Sequence, residues 1–318
     1  MQIPFLSKLL RKAAGNSGRV VACSRGDVAL FVRVIQVGGK AKVLSYAARQ
    51  LVERNAQELA KCCGSLGLTG YVYATLLNHG EYQLLNVDAP NVPAAELKSA
   101  VRWRLKDTLG YPPEDAALDV LQIPKGGVST ERAQSLYVVA AKNSLIKKRI
   151  SLFEDAKLEL NVIDIPEMAQ RNIAALYESE GRGLALLAFD ETGGLLTFTG
   201  GSELYLARRI EISLGQLQDA DENLRQQAYD RLELELQRSM DAFDRNFNHT
   251  AVNRLVVAAP VASGLIAKLR ENMYVPVERV DLSQVLDLSE VPELLNEEAQ
   301  LDAFYALGAA LREEGSVA

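Results

Sequence analysis

Two glycine-containing turns, each between strand-like runs, are the places in this sequence best suited to holding a phosphate. The first turn contains Gly26 and Asp27 and follows the run VVACS, and the second contains Gly193 and Gly194 and follows LALLAFDE. A glycine turn lets backbone N–H groups approach phosphate oxygens closely, because no Cβ atom stands in the way. The chemistry indicated is nucleotide binding, provided that the neighbouring acidic and hydroxyl residues suit it.

The histidines and cysteines do not form a recognisable metal site. The two histidines, His79 and His249, have no Cys, His or carboxylate at metal-ligand spacing. The three cysteines, Cys23, Cys62 and Cys63, are odd in number and include one vicinal pair, which does not describe a disulfide framework. We therefore predict no metal site and a reducing compartment.

Composition places the chain among globular proteins. Of its 318 residues, 48% are hydrophobic and 24% charged, which is close to the globular average. A net charge of −6 gives no reason to expect nucleic acid as a partner. The sequence has no apolar run long enough to span a membrane and no signal-peptide pattern, so we expect a cytoplasmic protein.

Two stretches of the chain open with the same pattern of three strands joined by glycine turns. The first reads VVACS, VALFVRVIQV and KAKVLSYA, and the second reads LALLAFDE, LLTFT and ELYLARRIEI. Runs of this kind joined by tight glycine turns indicate antiparallel hairpins. Both stretches continue into helical patterns, including a long charged one at 221–247. The repetition predicts an α/β fold with two lobes, the arrangement of the actin and sugar-kinase superfamily.

Breaks in the pattern divide the chain into six segments. After Pro90 and Pro93 a helix is expected at about 94–109, with Leu97, Val101 and Leu105 on one face. This helix belongs to a small α+β module within the first lobe. The predicted segments are an N-terminal arm at 1–18, lobe one at 19–82, an inserted α+β subdomain at 83–165, a return helix of lobe one at 166–182, lobe two at 183–298, and a C-terminal helix and tail at 299–318.

The N-terminal arm is apolar and basic. Ile3, Leu6, Leu9 and Leu10 recur at helical spacing, with basic residues interleaved before a Gly-Asn-Ser-Gly break. Such an arm suits weak contact with an anionic membrane surface or with a partner groove. The alternative is a frayed terminus or a strand packed on the core.

Three segments resemble the PilM family of type IV pilus assembly proteins, and within it the MshI branch that serves the mannose-sensitive haemagglutinin (MSHA) pilus. The first, at 86–124, contains the helix AAELKSAVRWRLKD and a YPPED turn, and is similar to the inserted subdomain of the family. The second, ELQRSMDAFDRNF at 235–247, resembles the family's Arg-Ser-Leu-Asp helix. The third, ALGAALR at 306–312, looks like the closing helix. The resemblance covers nearly the whole chain.

The resemblance implies an actin-like bilobed fold, related to the cell-division protein FtsA, with an α+β subdomain inserted in lobe one. It also implies a scaffold at the cytoplasmic face of the inner membrane that binds the tail of a PilN-like, here MshJ-like, membrane protein and couples it to the cytoplasmic motor ATPase. The family's groove lies between lobe one and the inserted module. Its lining here is predicted to be Trp103, Leu105, Tyr111, Leu121 and Tyr137, and the alternative is that these residues form the module's own core.

The sequence departs from the family's nucleotide-binding pattern in three places. Ser24 stands where the first hairpin has an acidic residue that organises Mg²⁺ or water, and Asp27 adds negative charge. In the second hairpin Asp190 is retained, but Thr192 occupies the glycine position. The nucleoside-side loop has Ala259 where a Gly-Gly pair is usual. The degenerate site predicted from the resemblance comprises Ser24, Gly26, Asp27, Asp190, Thr192, Gly193, Gly194, Ala259 and Gly308.

These departures predict a scaffold that is not an enzyme and needs no cofactor. The alternatives are an ATP-binding switch or weak ATPase, holding ATP and Mg²⁺ weakly in the same machinery, and a filament-forming relative of the fold. Other features have simpler explanations. Trp103 among basic residues suggests helix packing rather than base stacking, and the carboxylates Glu114 and Asp115 suggest a turn rather than an acid–base couple.

Overall fold

The computed structural model describes residues 18–125, 134–190 and 192–312. Most of the predicted N-terminal arm, Glu191 of the second hairpin and the last six residues of the tail therefore lie outside the described part. The strands are β1 Arg19–Arg25, β2 Val28–Val37, β3 Lys40–Gln50, β4 Val72–Leu76, β5 Tyr82–Asp88, β6 Ala116–Gln122, β7 Ser135–Lys142, β8 Glu159–Asp164, β9 Gly183–Phe189, β10 Gly194–Gly200, β11 Glu203–Ile210, β12 Val252–Ala258 and β13 Val277–Arg279. The helices are α1 Ala56–Ser65, α2 Leu97–Arg104, α3 Asn143–Asp155, α4 Pro166–Tyr177, α5 Leu214–Leu217, α6 Glu222–Asn246, α7 Leu265–Asn272 and α8 Glu297–Ala310.

Two five-stranded sheets repeat one topology. The first has the order β3-β2-β1-β4-β8 and the second the order β11-β10-β9-β12-β13. In each, the first three strands are an antiparallel meander and the last two join in parallel. The turn between β2 and β3 uses Gly38 and Gly39 with φ of 59° and 82°, as a two-residue hairpin turn requires. The predicted three-strand repeat is confirmed.

The two lobes share one apolar core around α4 and α8. These helices follow the last strand of each sheet and pack against each other and against both sheets. Their crossing is close because Gly308 of α8 has no side chain: a Cβ atom there would stand 2.2 Å from the carbonyl oxygen of Ala169. The outer face of the first sheet is covered by α1 and α3, and that of the second by α6 and α7.

A third sheet, with the order β5-β7-β6, forms the predicted α+β module. Its central strand β7 is buried on both faces, because Leu136, Val138 and Ala140 face α2 while Tyr137, Val139 and Ala141 face the other way. The second face packs against α3 and against residues of lobe two on β11 and α6. The module is therefore attached to both lobes.

Three boundaries differ from the sequence prediction. β8 was assigned to the inserted subdomain at 83–165, but it pairs with β4 in the first sheet. The helix expected at 94–109 is α2, eight residues long and preceded by a 3₁₀ turn at Ala94–Glu96, because the backbone tightens into turns after Arg104. The C-terminal helix begins at Glu297, where Asn296 caps it, rather than at 299.

Helices 18 residues or longer that are apolar enough to cross a membrane are absent from the described residues. The same part of the chain contains no group of three or more His, Cys, Asp or Glu side chains that could hold a metal ion.

Candidate functional site

The hairpin between β9 and β10 is closed by the side chain of Asp190. Its Oδ1 atom accepts hydrogen bonds from the backbone N–H of Thr192 at 2.7 Å, from the Thr192 hydroxyl at 2.8 Å and from the N–H of Gly193 at 3.1 Å. In a phosphate-binding turn such N–H groups point at the ligand. Here they are already satisfied by a carboxylate of the same chain.

Arg209 of β11 holds the other side of this carboxylate. Its Nη1 donates to Asp190 Oδ2 at 2.6 Å, and its Nη2 contacts Asp190 Oδ1 and the Thr192 hydroxyl. Burial alone would raise the pKa of Asp190, but the hydrogen bonds from Arg209 and Thr192 outweigh it and hold that pKa below its usual value. Asp190 is thus an ionised, fully engaged carboxylate, and a Mg²⁺ ion would have to break this pair to use it.

The glycine of this hairpin has a packing role. A Cβ atom at Gly193 would stand 2.4 Å from the carbonyl oxygen of Ile210, which lies opposite in β11. The neighbouring Gly194 is buried, and a Cβ there would press on Leu187. The glycines therefore permit close strand contact, and a phosphate is not needed to explain them.

The hairpin between β1 and β2 is likewise paired within the chain. Gly26 has φ of 51°, and Asp27 beside it forms an ion pair with Arg54 at 2.8 Å. Arg54 also donates to the Gly26 carbonyl oxygen, and Arg25 pairs with Asp302 of α8. Ser24 lies half-buried at the end of β1. In the described residues of the two hairpins, Arg25, Asp27 and Asp190 are thus each paired with a group of the same chain.

Four residues that the sequence did not single out lie between the hairpins. Tyr82 of β5 donates its hydroxyl proton to Glu167 of α4 at 2.5 Å, and burial raises the pKa of Glu167. Arg209 and Tyr305 of α8 interact electrostatically with this pair. The Tyr305 hydroxyl is buried and has no hydrogen-bond partner among the described residues. No spacing in the sequence marks this cluster, because its four members come from four separate elements.

A cavity of about 670 Å³ lies in lobe one between the first sheet, the start of α1 and α3. Its walls are largely apolar and include Phe31, Leu51, Leu59, Leu145, Leu152 and Phe153. Arg54, Asn78 and Lys148 line its exposed parts. An apolar concavity with a few polar groups is the usual form of a site for a small ligand or for peptide side chains.

Polar groups inside the cavity are of two kinds. Glu81 and Arg149 form a bidentate pair at 2.8 and 2.9 Å, which fixes α3 to the loop before β5. Thr75 of β4 is 1% exposed, and its hydroxyl has no partner in the described part of the chain. Burial raises the pKa of the Cys23 thiol to about 12, with Arg149 opposing the shift, so this cysteine is neutral and unreactive at neutral pH.

The predicted nucleotide-site residues lie at four different locations in the structure. Ser24, Gly26 and Asp27 lie together in the first hairpin, and Asp190, Thr192, Gly193 and Gly194 lie together in the second. Two predicted members lie outside the hairpins. Ala259 is buried in the outer core of the second sheet, and Gly308 lies at the crossing of α4 and α8, so neither lines a cleft.

The predicted peptide groove is not formed by the five residues proposed for it. Leu105 and Tyr111 belong to the core between α2 and the small sheet, whereas Leu121 and Tyr137 lie on the opposite face of that sheet. Tyr137 accepts a hydrogen bond from the Ala207 N–H of β11 at 2.9 Å. Trp103 is 70% exposed, so most of its ring lacks the helix packing that the sequence suggested. The alternative, that such residues form the module's core, holds for Leu105 and for Tyr111, which packs against that core.

Two simpler expectations are confirmed. Glu114 and Asp115 lie in a 3₁₀ turn at Pro113–Asp115 that precedes β6. The long charged helix is α6, capped by Asp221, whose side chain accepts from the N–H groups of Asn223 and Leu224.

Comparison with known proteins gives structural likeness only. No family model matches the chain, and no curated protein matches it. A chain of the PilM-PilN type IV pilus biogenesis complex superposes with a TM-score of 0.69 and 19% identity, covering 93% of this chain and 98% of that one. A Bacteroides thetaiotaomicron protein of actin-like ATPase fold and unknown function superposes with a TM-score of 0.49 and 7% identity, covering 90% of this chain and 95% of that one. The cytoplasmic domain of EpsL, an inner-membrane component of the Vibrio cholerae type II secretion system, superposes with a TM-score of 0.48 and 12% identity, covering 88% of this chain and 98% of that one.

The repeated sheet topology and the likeness to the PilM-PilN complex agree with the sequence prediction. The chain has an actin-like bilobed fold with an α+β module inserted in lobe one.

Proposed function

We propose that the chain is a cytoplasmic scaffold in the inner-membrane assembly platform of a type IV pilus, of the MSHA type, and is not an ATPase. It binds the cytoplasmic tail of a PilN-like or MshJ-like membrane protein and links it to the motor ATPase. The fold shared with a chain of the PilM-PilN complex and the three sequence segments described above support this proposal.

One observation supports the proposal that the chain does not hydrolyse ATP. The backbone N–H groups of the second hairpin donate to Asp190, and Arg209 neutralises that carboxylate, so neither is available to a phosphate or to Mg²⁺. The first hairpin offers no acidic residue at Ser24, and Asp27 is bound to Arg54. ATP binding would have to replace all of these internal contacts.

The lobe-one cavity is the place we assign to the partner tail. It lies between lobe one and α3, which packs on the inserted module, and its apolar walls suit two or three aliphatic side chains of an extended peptide. This site replaces the groove predicted from Trp103, Leu105, Tyr111, Leu121 and Tyr137.

A titration tests the proposal. A fluorescent synthetic peptide of the partner's cytoplasmic tail is titrated with the purified chain, and saturable binding in the micromolar range is expected. Leu145→Glu places a charge in the cavity wall and should weaken binding at least tenfold. Lys147→Glu changes an exposed residue of the same helix that does not line the cavity and should have little effect. Absence of binding at high micromolar concentration would contradict the proposal.

Calorimetric titration with Mg·ATP tests the proposal that the chain does not use ATP. No heat of binding is expected from the wild-type chain. Micromolar affinity would restore the ATP-switch alternative.

A further inference from the structure

Two consecutive residues at the start of β5 serve different sites. Glu81, just before the strand, lines the lobe-one cavity, where Arg149 Nη2 donates to its two carboxylate oxygens at 2.8 and 2.9 Å. Tyr82, the first residue of the strand, does not line the cavity and donates to Glu167 of α4. Successive side chains of an extended chain lie on opposite sides. The backbone between Glu81 and Tyr82 therefore joins the cavity to the cluster between the lobes.

The Glu81 end of this connection shapes the cavity wall. Its carboxylate also accepts from the N–H of Asn78 at 2.7 Å, and its own N–H donates to the Asn78 carbonyl oxygen at 3.0 Å. The side chains of Glu81 and Arg149 are 27% and 14% exposed, so water and salt screen their ion pair only in part. Both Asn78 and Arg149 line the cavity. A shift of Glu81 would thus move two parts of the wall, the loop before β5 and α3.

The Tyr82 end is anchored in the interior of the protein. Glu167 is 8% exposed and lies in the first turn of α4, the helix that packs against both large sheets. The two oxygen atoms are 2.5 Å apart, at the short end of the range for hydrogen bonds between oxygens. The ring of Tyr82 packs against the core of the inserted module. Glu167 itself does not line the cavity, but this hydrogen bond links it to the cavity wall.

We propose that Glu167 is a positioning residue for the lobe-one cavity, acting through its hydrogen bond with Tyr82. Tyr82 fixes Glu81, and Glu81 in turn fixes Arg149 and the α3 wall. The effect on the cavity needs no partner, whereas an effect on tail binding rests on the proposed function. The shape of the cavity is then set in part by residues between the lobes that a ligand in the cavity does not touch.

The alkylation rate of Cys23 tests the positioning without any partner. Cys23 lies in the cavity wall, and Arg149 interacts electrostatically with its thiol. The full chain is treated with N-ethylmaleimide at pH 8, and the labelling of each cysteine over time is followed by peptide mass spectrometry. We expect Tyr82→Phe to raise the Cys23 rate about three- to tenfold, the range that follows from the loss of one buried hydrogen bond.

Tyr137→Phe is the matched control. It also removes a buried hydroxyl contact of the inserted module, the one with the Ala207 N–H, but it does not adjoin Glu81. Cys63 is 0% exposed and lies outside the cavity, so its rate reports opening of the fold as a whole. The two Phe variants should change the Cys63 rate alike, whereas only Tyr82→Phe should raise the Cys23 rate.

Substitutions at Glu167 separate positioning from a loss of packing. Glu167→Gln keeps an oxygen that accepts from Tyr82 and should leave the Cys23 rate at its wild-type value. Glu167→Ala removes the acceptor and should match Tyr82→Phe. The double variant Glu81→Gln with Tyr82→Phe should label no faster than Glu81→Gln alone, because both changes act on one connection.

Three results would overturn the proposal. One is an unchanged Cys23 rate in Tyr82→Phe, and another is an equal rise of that rate in Tyr82→Phe and Tyr137→Phe. The third is a Cys23 rate in Glu167→Gln as high as in Glu167→Ala.

The tail titration separates this inference from the proposed function. Tyr82→Phe should bind the fluorescent tail peptide about three- to tenfold more weakly than the wild type, and Tyr137→Phe should bind it equally well. If none of these proteins binds the tail but the Cys23 rates change as expected, the proposed function is wrong and the positioning stands. If all three bind the tail equally and the Cys23 rates do not change, the positioning is wrong and the proposed function stands.

Discussion

Arg209 of β11 forms an ion pair with Asp190, and its Nη1 atom lies 2.6 Å from Asp190 Oδ2. The two side chains are only 20% and 24% exposed, so the pair is largely screened from water. It joins β11 to the glycine turn for which the sequence predicted a phosphate site. The same carboxylate that a metal ion would need therefore serves as an internal clasp for the hairpin.

Removing the clasp should destabilise lobe two. Arg209→Ala is expected to lower the free energy of unfolding by about 1–3 kcal/mol, because charge-assisted hydrogen bonds are lost and a partly buried carboxylate is left behind. Urea denaturation followed by circular dichroism measures this. Arg238→Ala is the control, since Arg238 is 60% exposed and pairs with Glu235 at 3.4 Å. It should change stability by less than about 0.5 kcal/mol, and equal losses in the two variants would contradict the clasp.

The contribution of Asp190 should depend on pH in a defined direction. Its pKa is lowered in the folded state, so the stability it contributes is present above the unfolded value of about 4 and is lost as pH falls through the folded pKa. The stability gap between the wild type and Asp190→Asn should be full at pH 7 and shrink below pH 4. Denaturation midpoints measured over this range provide the test, and a gap that does not change with pH would rule the ion pair out as its cause.

The sequence predicts those features of the structure that adjacent residues determine, and it predicts poorly those that depend on residues far apart along the chain. The three-strand repeats follow from adjacent residues, since turns such as Gly38-Gly39 determine hairpins by their own conformation. The two-lobed fold follows from the repetition. The clasp does not, because it depends on the register that sets Arg209 of β11 beside the hairpin containing Asp190. The spacing of these two residues along the sequence does not indicate that they are in contact.

The candidate binding site was harder still to predict. The cavity is made by β1, β4, α1 and α3, which are far apart along the chain. The five residues predicted to line the groove do not lie together, because β7 alternates between two buried faces and Tyr137 lies on the side opposite Leu105. Sequence alone identifies such residues as apolar, but it does not show that both faces of the strand are covered.

Gly308 is expected to tolerate no side chain. In Gly308→Ala the new Cβ would stand 2.2 Å from the Ala169 carbonyl oxygen, so α4 and α8 would have to separate. We expect a loss of about 2–4 kcal/mol, measured by chemical denaturation. Gly64→Ala is the matched control: Gly64 lies in α1, and a Cβ there meets nothing within 4 Å. It should stabilise the chain by about 0.5–1 kcal/mol.

Glu167 should weaken the fold as pH rises. Burial raises its pKa, so the stability linked to its protonated form is fully present below the unfolded value of about 4.3 and is lost as pH rises through the folded pKa. Glu167→Gln removes this titration while keeping an oxygen that accepts from Tyr82. The variant should be more stable than the wild type at pH 8 and lose that advantage at pH 4 in denaturant titrations.

Tyr82→Phe tests the same pair from the other side. It removes the hydroxyl that donates to Glu167 at 2.5 Å and should cost about 1–2 kcal/mol. The loss should be larger at pH 8 than at pH 4, because the ionised carboxylate needs the donor more than the neutral acid does. A loss that is the same at both values would mean that Glu167 stays protonated throughout.

A conservative pair of variants at Tyr137 and Tyr111 tests the proposed partner site. Tyr137→Phe leaves the Ala207 N–H of β11 without its acceptor and should cost about 1–2 kcal/mol of stability. Tyr111→Phe should cost little, because the Tyr111 hydroxyl is buried without a partner in the described part of the chain. Neither residue lines the lobe-one cavity, so both variants should bind the tail peptide as the wild type does. Weakened binding in either variant, with stability unchanged, would mean that the tail peptide binds to the inserted module and not in the lobe-one cavity.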